Sequence, residues 1–339
     1  MVQNIEVLLA IFILFYILVI IYDIVIQVKL NKQDELDTKK ENKLLTMLKE
    51  KEKDANYDDK ELLKLLHKLS YLRVFNNIII NKKAKITKSK YLNVYSHLAT
   101  YYLKRESLEK AYFAYSLGLI GLSNDNIDEY LFTILEDKSI YCVENALETL
   151  YTFKDASKVV KAYNILNKHK VNYNAKLITD SLLNYKGSKE ELCQALFANF
   201  TNYNDEYKLG FINYFRVCKF NIAKELVPYI NKDTPKELTL SIIRYYSKIT
   251  YPKVVPLLLK YLDTNYFNDF SYDVVIIQTL SNYKEDKVIT SLTKKLADSN
   301  YYIRYNSALA LNKLTDIKKI KTTDTYGQEI LKYIAEESR

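Results

Sequence analysis

The chain has 339 residues, 27% of them charged, and a formal net charge of +9, with only 5 Gly and 4 Pro. So few chain-breaking residues suit a helical protein and exclude one built from tight turns. Its three cysteines show no CxxC or Cys/His spacing, which excludes a disulfide framework or a zinc site and fits reduced thiols in a core.

The first element is apolar. Val7 to Tyr22 carries no charge, Asp23 alone interrupts the run, and it continues to Val28. About 20 residues cross the hydrocarbon core, so residues 5–28 are expected to form a transmembrane helix. No Lys or Arg precedes the run and no small-x-small cleavage pattern follows it, so the segment is not read as a removable signal peptide. Lys29, Lys32, Lys39, Lys40 and Lys43 follow it, which predicts an outside N-terminus and a cytoplasmic remainder, a single-pass protein of the cell membrane. Asp23 is a candidate intramembrane contact to a partner helix; hydration at the interface is the plainer alternative.

Residues 29–56 alternate charge and read as a solvated helical stalk. Residues 57–106 read as N-terminal capping helices: one amphipathic helix from near Asp58 through Phe75, then one bearing Leu92, Tyr95, Leu98 and Tyr102. Between them runs a lysine loop holding Lys82, Lys83, Lys85, Lys88 and Lys90 without an acid, a candidate contact for anionic lipid.

Over residues 107–320 a pair of apolar residues three apart recurs: Leu119/Leu122, Leu150/Phe153, Leu182/Tyr185, Phe215/Cys218, Tyr246/Ile249, Leu280/Tyr283 and Leu311/Leu314. The second members are 31, 32, 33, 31, 34 and 31 residues apart. A period of that length marks stacked units that bury their faces against their neighbours. The fold expected is all-α, a right-handed α-solenoid of about seven to eight helical hairpins. Polar turns such as Ser123-Asn124-Asp125 and Lys186-Gly187-Ser188 supply caps for each second helix. Residues 321–339 read as a C-terminal capping helix.

Asp298-Ser299-Asn300-Tyr301-Tyr302-Ile303-Arg304, followed by the Ala-rich Tyr305–Leu311, resembles a HEAT repeat of the short, phycobilisome-lyase-like type. The same frame fits from Asp137 to Leu147, with Val143 in the place of the arginine. Together with the apolar N-terminus, the layout resembles membrane-anchored HEAT-repeat proteins of low-GC Gram-positive bacteria. The resemblance implies a binding role without catalytic residues. It also implies a link to membrane enzymes such as surface-polysaccharide glycosyltransferases, for which such a protein would be an accessory or regulatory subunit. Tetratricopeptide repeats share the period, but their Trp, Leu-Gly and terminal Pro positions are missing. In HEAT arrays the second helices line the concave face, which makes Lys154, Lys158 and Lys161 candidate contacts for an acidic protein segment, with solubilising charge the plainer alternative; Arg304, at the family's arginine position, is a further candidate partner contact.

No phosphate-binding glycine loop exists, and His67, His97 and His169 stand far apart. An enzyme is therefore not expected, nor a cofactor or a metal. The expected function is a membrane-tethered cytoplasmic scaffold for protein–protein interaction, its partner a membrane-associated protein. The alternative is a HEAT-like nucleic-acid-binding or DNA-repair protein, suggested by the basic, aromatic composition and disfavoured by the tether.

Overall fold

A computed structural model of the chain describes residues 2–54, 57–81, 88–169 and 173–337. Among them it is all-helical, with eighteen α-helices, short 3-10 turns and no strand. The chain divides into two compact units, residues 1–153 and 154–339.

In the N-terminal unit, α1 (Val2–Lys53) is one uninterrupted helix of 52 residues. It is followed by α2 (Lys60–Leu66), α3 (Leu69–Ile80), α4 (Leu92–Tyr102), α5 (Ser107–Ile120), α6 (Asp125–Ile134) and α7 (Ile140–Thr152). Alternate helices pack together: α1 on α3, α3 on α5 and α5 on α7 form one row, and α2 on α4 and α4 on α6 another. The stretch expected as a solvated stalk is different in its second half. Leu44, Met47 and Leu48 are buried, so α1 is itself the first member of the packed row. Four apolar residues within five positions gave too short a periodic signal amid dense charge for the sequence to reveal this.

The amphipathic helix expected from Asp58 to Phe75 is broken at His67 and Lys68, where Lys68 takes an extended backbone. The Tyr102 hydroxyl donates to the Leu66 carbonyl at 2.8 Å, satisfying a group that the interrupted helix leaves without an intrahelical donor. The break lets α2 and α3 fold back on each other.

In the C-terminal unit the helices are α8 (Ala156–Lys168), α9 (Ala175–Leu182), α10 (Lys189–Ala198), α11 (Asp205–Cys218), α12 (Ala223–Leu226), α13 (Lys236–Tyr245), α14 (Val255–Asp263), α15 (Phe270–Leu280), α16 (Asp286–Lys295), α17 (Tyr301–Leu314) and α18 (Thr325–Glu337). Again alternate helices pair: α9 with α11, α11 with α13, α13 with α15 and α15 with α17, and on the other side α8 with α10 and α14 with α16. The polar turns at Asn124 and Ser188 cap as the sequence suggests, whereas Glu285, in the turn before α16, makes no side-chain cap. Asn124 accepts from the Ile127 amide, Asp155 from Ser157 and Lys158, and Ser188 from Glu191.

Leu150, Leu182, Tyr185, Phe215, Tyr246, Leu280, Tyr283 and Leu311 are buried, as the ladder requires. Three rungs depart from it: Phe153 and Cys218 are only half-buried, and in the first rung Leu119 is 43% exposed, with Leu117 and Ile120 filling the core instead. In α5, which ends at Gly121 with φ +73°, the helical phase that buries Leu117 and Ile120 leaves Leu119 off the packed face.

Within each unit, hydrogen bonds from side-chain hydroxyls tie packed segments together across 31 to 37 residues of sequence. The Thr149 hydroxyl donates to the Ala114 carbonyl at 2.6 Å, and Thr279 donates to Ile243 at 3.1 Å. The Tyr283 hydroxyl donates to Tyr246 at 3.0 Å, and Tyr261 to Ile230 at 3.0 Å. Such bonds satisfy backbone carbonyls inside a core and fix the stacking register.

Candidate functional site

The apolar run lies on the part of α1 that nothing covers. From Leu9 to Tyr22 its large side chains are between 38% (Val19) and 67% (Tyr16) exposed, a contiguous apolar surface far beyond what a soluble fold leaves bare. Among the described residues this is one helix long and apolar enough to cross a membrane, a test that an N-terminal signal sequence also passes. Asp23 is exposed on that segment.

The helix α1 also serves as a ruler for the rest of the N-terminal unit. Gln33 shares a cleft with Leu69, Ser70, Arg73 and Tyr112, and Arg73 pairs with Asp37. Further along, Lys51 pairs with Asp59, and Lys90 with Glu52. Helices α3 and α5 therefore run in the direction of α1, while α2 and α4 run back. The corners at His67–Ser70 and Leu103–Leu108 lie at the near end, beside the apolar run. Lys88 and Lys90 lie at the far end. At ~1.5 Å per residue, Gln33 is ~8 Å beyond Val28 along the axis and Glu52 ~36 Å beyond it.

The predicted lysine loop is thus set apart from the apolar run. The Lys88 ammonium donates to the Ile120 carbonyl at 3.2 Å, capping the C-terminal end of α5, and Lys90 is held by Glu52. Lys82, Lys83 and Lys85 fall outside the described residues.

A basic cleft of about 510 Å³ opens on α2 and α4, lined by Lys60, Lys64, His67, His97, Tyr101 and Lys104 among others. The His67 and Tyr101 rings stack at 3.6 Å, and the Arg105 guanidinium lies 5.5 Å from the Tyr101 ring centre. Burial, assisted by the Arg105 charge, holds the His67 imidazole below its ordinary pKa and favours the neutral ring. The cleft was not legible in the sequence, because it depends on the break at His67.

In the C-terminal unit Lys154 occupies the turn before α8, exposed and with φ +62°. Lys158 and Lys161 lie on α8, Lys158 half-buried and Lys161 exposed. Arg304 is far from these in sequence and serves the last hairpins. Its Nε donates to the Asp298 carbonyl, and its guanidinium lies 5.3 Å from the Tyr326 ring of α18. At the matching position Val143 is buried, and a different cation meets the aspartate. Lys110 of the preceding hairpin contacts the Asp137 carboxylate at 2.9 Å, and Ser107 and the Ser139 amide donate to it as well. Burial works against ionisation of Asp137, but these donors outweigh it and hold its pKa below the usual carboxylate value. Lys236 and Asp269 repeat the arrangement at 2.5 Å.

Two features escaped the sequence reading. The neighbouring Cys218 thiol of α11, 25 residues on by number, together with burial raises the pKa of the Cys193 thiol of α10. On the surface Phe270 stacks on Tyr302 at 5.9 Å, and Tyr301 on Tyr305 at the same distance. Only the recurrence of an aromatic residue at the start of α15 and α17 could have signalled it. Among the described residues no group of three or more His, Cys, Asp or Glu is placed to hold a metal ion.

Comparison with known families finds no family model that matches the chain, and no curated protein matches it in sequence.

Proposed function

We propose that the protein is a membrane-tethered scaffold, with α1 crossing the bilayer once and HEAT-like hairpin arrays on the cytoplasmic side docking a membrane-associated protein partner. The observation that carries this reading is the continuity of α1. The same helix bears the uncovered apolar run and, at Leu44, Met47 and Leu48, the packed core of the N-terminal unit. A removable leader gives no reason for such continuity. The alternating helix rows and the hydroxyl-to-carbonyl bonds between alternate helices support the array; the lysines after Val28 support the orientation.

Alkaline carbonate should leave the full chain in the membrane pellet. Protease added to sealed right-side-out vesicles should spare residues 29–339 and digest them once the vesicles are opened. Release into the carbonate supernatant would overturn the tether, and digestion in sealed vesicles would reverse the orientation.

A further inference from the structure

The near end of the N-terminal unit is the end from which the apolar run of α1 emerges, and its surface has an unusual composition. Leu108, at the start of α5, is 71% exposed, more than any other large apolar residue described, including those of the apolar run. At the start of α7, Ile140 is 46% and Tyr141 58% exposed. The two corners are neighbours: Ser107 donates to Asp137, and the Cys142 thiol donates to the Ser107 carbonyl at 3.2 Å.

Around these apolar tips stand Lys68, Lys104 and Lys138, all exposed and none in a salt bridge among the described residues. Several acids of this end are engaged, while Asp34 and Glu35 on α1 are exposed. Glu109 pairs with Arg105 and Asp137 with Lys110, while Glu136 has a partner of its own; Glu106 remains exposed. The basic cleft with Lys64 opens beside the same corner.

Distance decides between this surface and the lysine loop. The headgroup layer adds roughly 5–8 Å to each side of the hydrocarbon core, and charge attraction fades within about 8–10 Å. Gln33, level with Tyr112, is ~8 Å past the apolar run, and Leu108 lies about one turn closer than Tyr112. Lys90, beside Glu52, is ~36 Å away.

We infer that the near end of the N-terminal unit rests on the bilayer, with Lys68, Lys104 and Lys138 on the phosphates of anionic phospholipids and Leu108, Ile140 and Tyr141 inserted between headgroups. This rests on the reading of α1 as a membrane span. Basic side chains flanking a few exposed apolar ones match the chemistry of an anionic interface. A seated unit has a fixed height above the membrane, which defines how far any docked partner stands from it.

The test uses the full chain in nanodiscs of phosphatidylcholine alone or with phosphatidylglycerol, and nitroxide labels on Leu18→Cys, Leu108→Cys or Ser89→Cys in a background with Cys142, Cys193 and Cys218 replaced by Ser or Ala. Relaxation by oxygen and by a water-soluble nickel chelate reports depth. Label 18 should be lipid-exposed in both discs, label 108 at headgroup depth in the anionic discs, and label 89 in water throughout. Reversing Lys68, Lys104 and Lys138 to Glu should lower the ratio of seated to unseated label 108 on the order of 100-fold, with the helical circular-dichroism spectrum retained. If label 108 stays in water in anionic discs while label 18 is in lipid, the seat is wrong and the tether stands. A label 18 in water removes the tether itself. Should the background fail to fold, hydrogen exchange on the unlabelled chain replaces the labels: amides at 104–108 must slow in anionic discs, and unchanged rates overturn the seat.

Discussion

Asp273 sits on α15 with 4% of its surface exposed, and burial pushes its carboxyl up to about 6, with Lys295 countering and Asp298 and Asp269 adding to the effect. Its folded pKa is above the unfolded value, so the folded state holds the proton longer. Stability from this group is therefore full below pH ~4 and is lost as pH rises to about 6, by on the order of 2–3 kcal/mol. Chemical denaturation from pH 4 to 7 should show the decline, and Asp273→Asn should flatten it and raise stability at pH 7. The ladder offers a second comparison between residues. Leu182→Ala removes a side chain with 0% exposure and should cost about 2–5 kcal/mol, whereas Leu119→Ala, at 43% exposure, should cost less than about 1 kcal/mol. Equal losses in denaturant midpoints would show that the buried register is misassigned.

Among elements, the closeness of stacked helices is set by small residues. A Cβ on Gly210 of α11 would lie 2.8 Å from Ile178 and 3.0 Å from the Ala175 carbonyl of α9. One on Gly118 of α5 would lie 2.8 Å from the Thr149 hydroxyl, which donates across to α5. Alanine is the better helix former by about 1 kcal/mol, yet Gly210→Ala should be net destabilising by roughly 1–2 kcal/mol, because the neighbour is a branched carbon and a backbone carbonyl that cannot rotate away. Thermal unfolding measures the sign, and stabilisation would mean that α9 and α11 are not in such close contact.

The element scale also shows where the sequence was readable. The helices after Ser107, several of their caps and four rungs buried at both members followed from the spacing, because burial of one helix face leaves a periodic trace. The break at His67 and the packed half of α1 left none. Both are decided by long-range partners, the Tyr102 hydroxyl and the face of α3, whose residues are distant in sequence. The candidate site was legible only as charge. That lysines occur between residues 82 and 110 is plain from the sequence, but which of them lie near the apolar run depends on the direction each helix takes.

For the whole molecule, deleting residues 1–28 should yield a folded soluble protein, since the core of the N-terminal unit begins at Leu44. Circular dichroism and sedimentation are expected to show a helical, non-aggregated species; loss of fold would mean that the apolar run contributes to packing. Replacing the run with an unrelated apolar helix of the same orientation should restore activity in the cell if the anchor is passive. Rescue by the native helix alone would instead assign Asp23 or its neighbours a specific contact.

The unbroken helix from Val2 to Lys53 has a rotational consequence. A flexible linker would let the N-terminal unit swivel, but a continuous helix works like a keyed shaft, so the compass bearing of every corner is set by residue count. Each residue inserted between Lys29 and Lys32 turns the unit by about 100° and lifts it by only ~1.5 Å. Two inserted alanines should point its faces nearly backwards relative to neighbours sharing contacts with the membrane segment, while four should bring them almost back into phase. Crosslinking in membranes should follow that oscillation; a signal that declines steadily with length would mean that α1 does not transmit the angle.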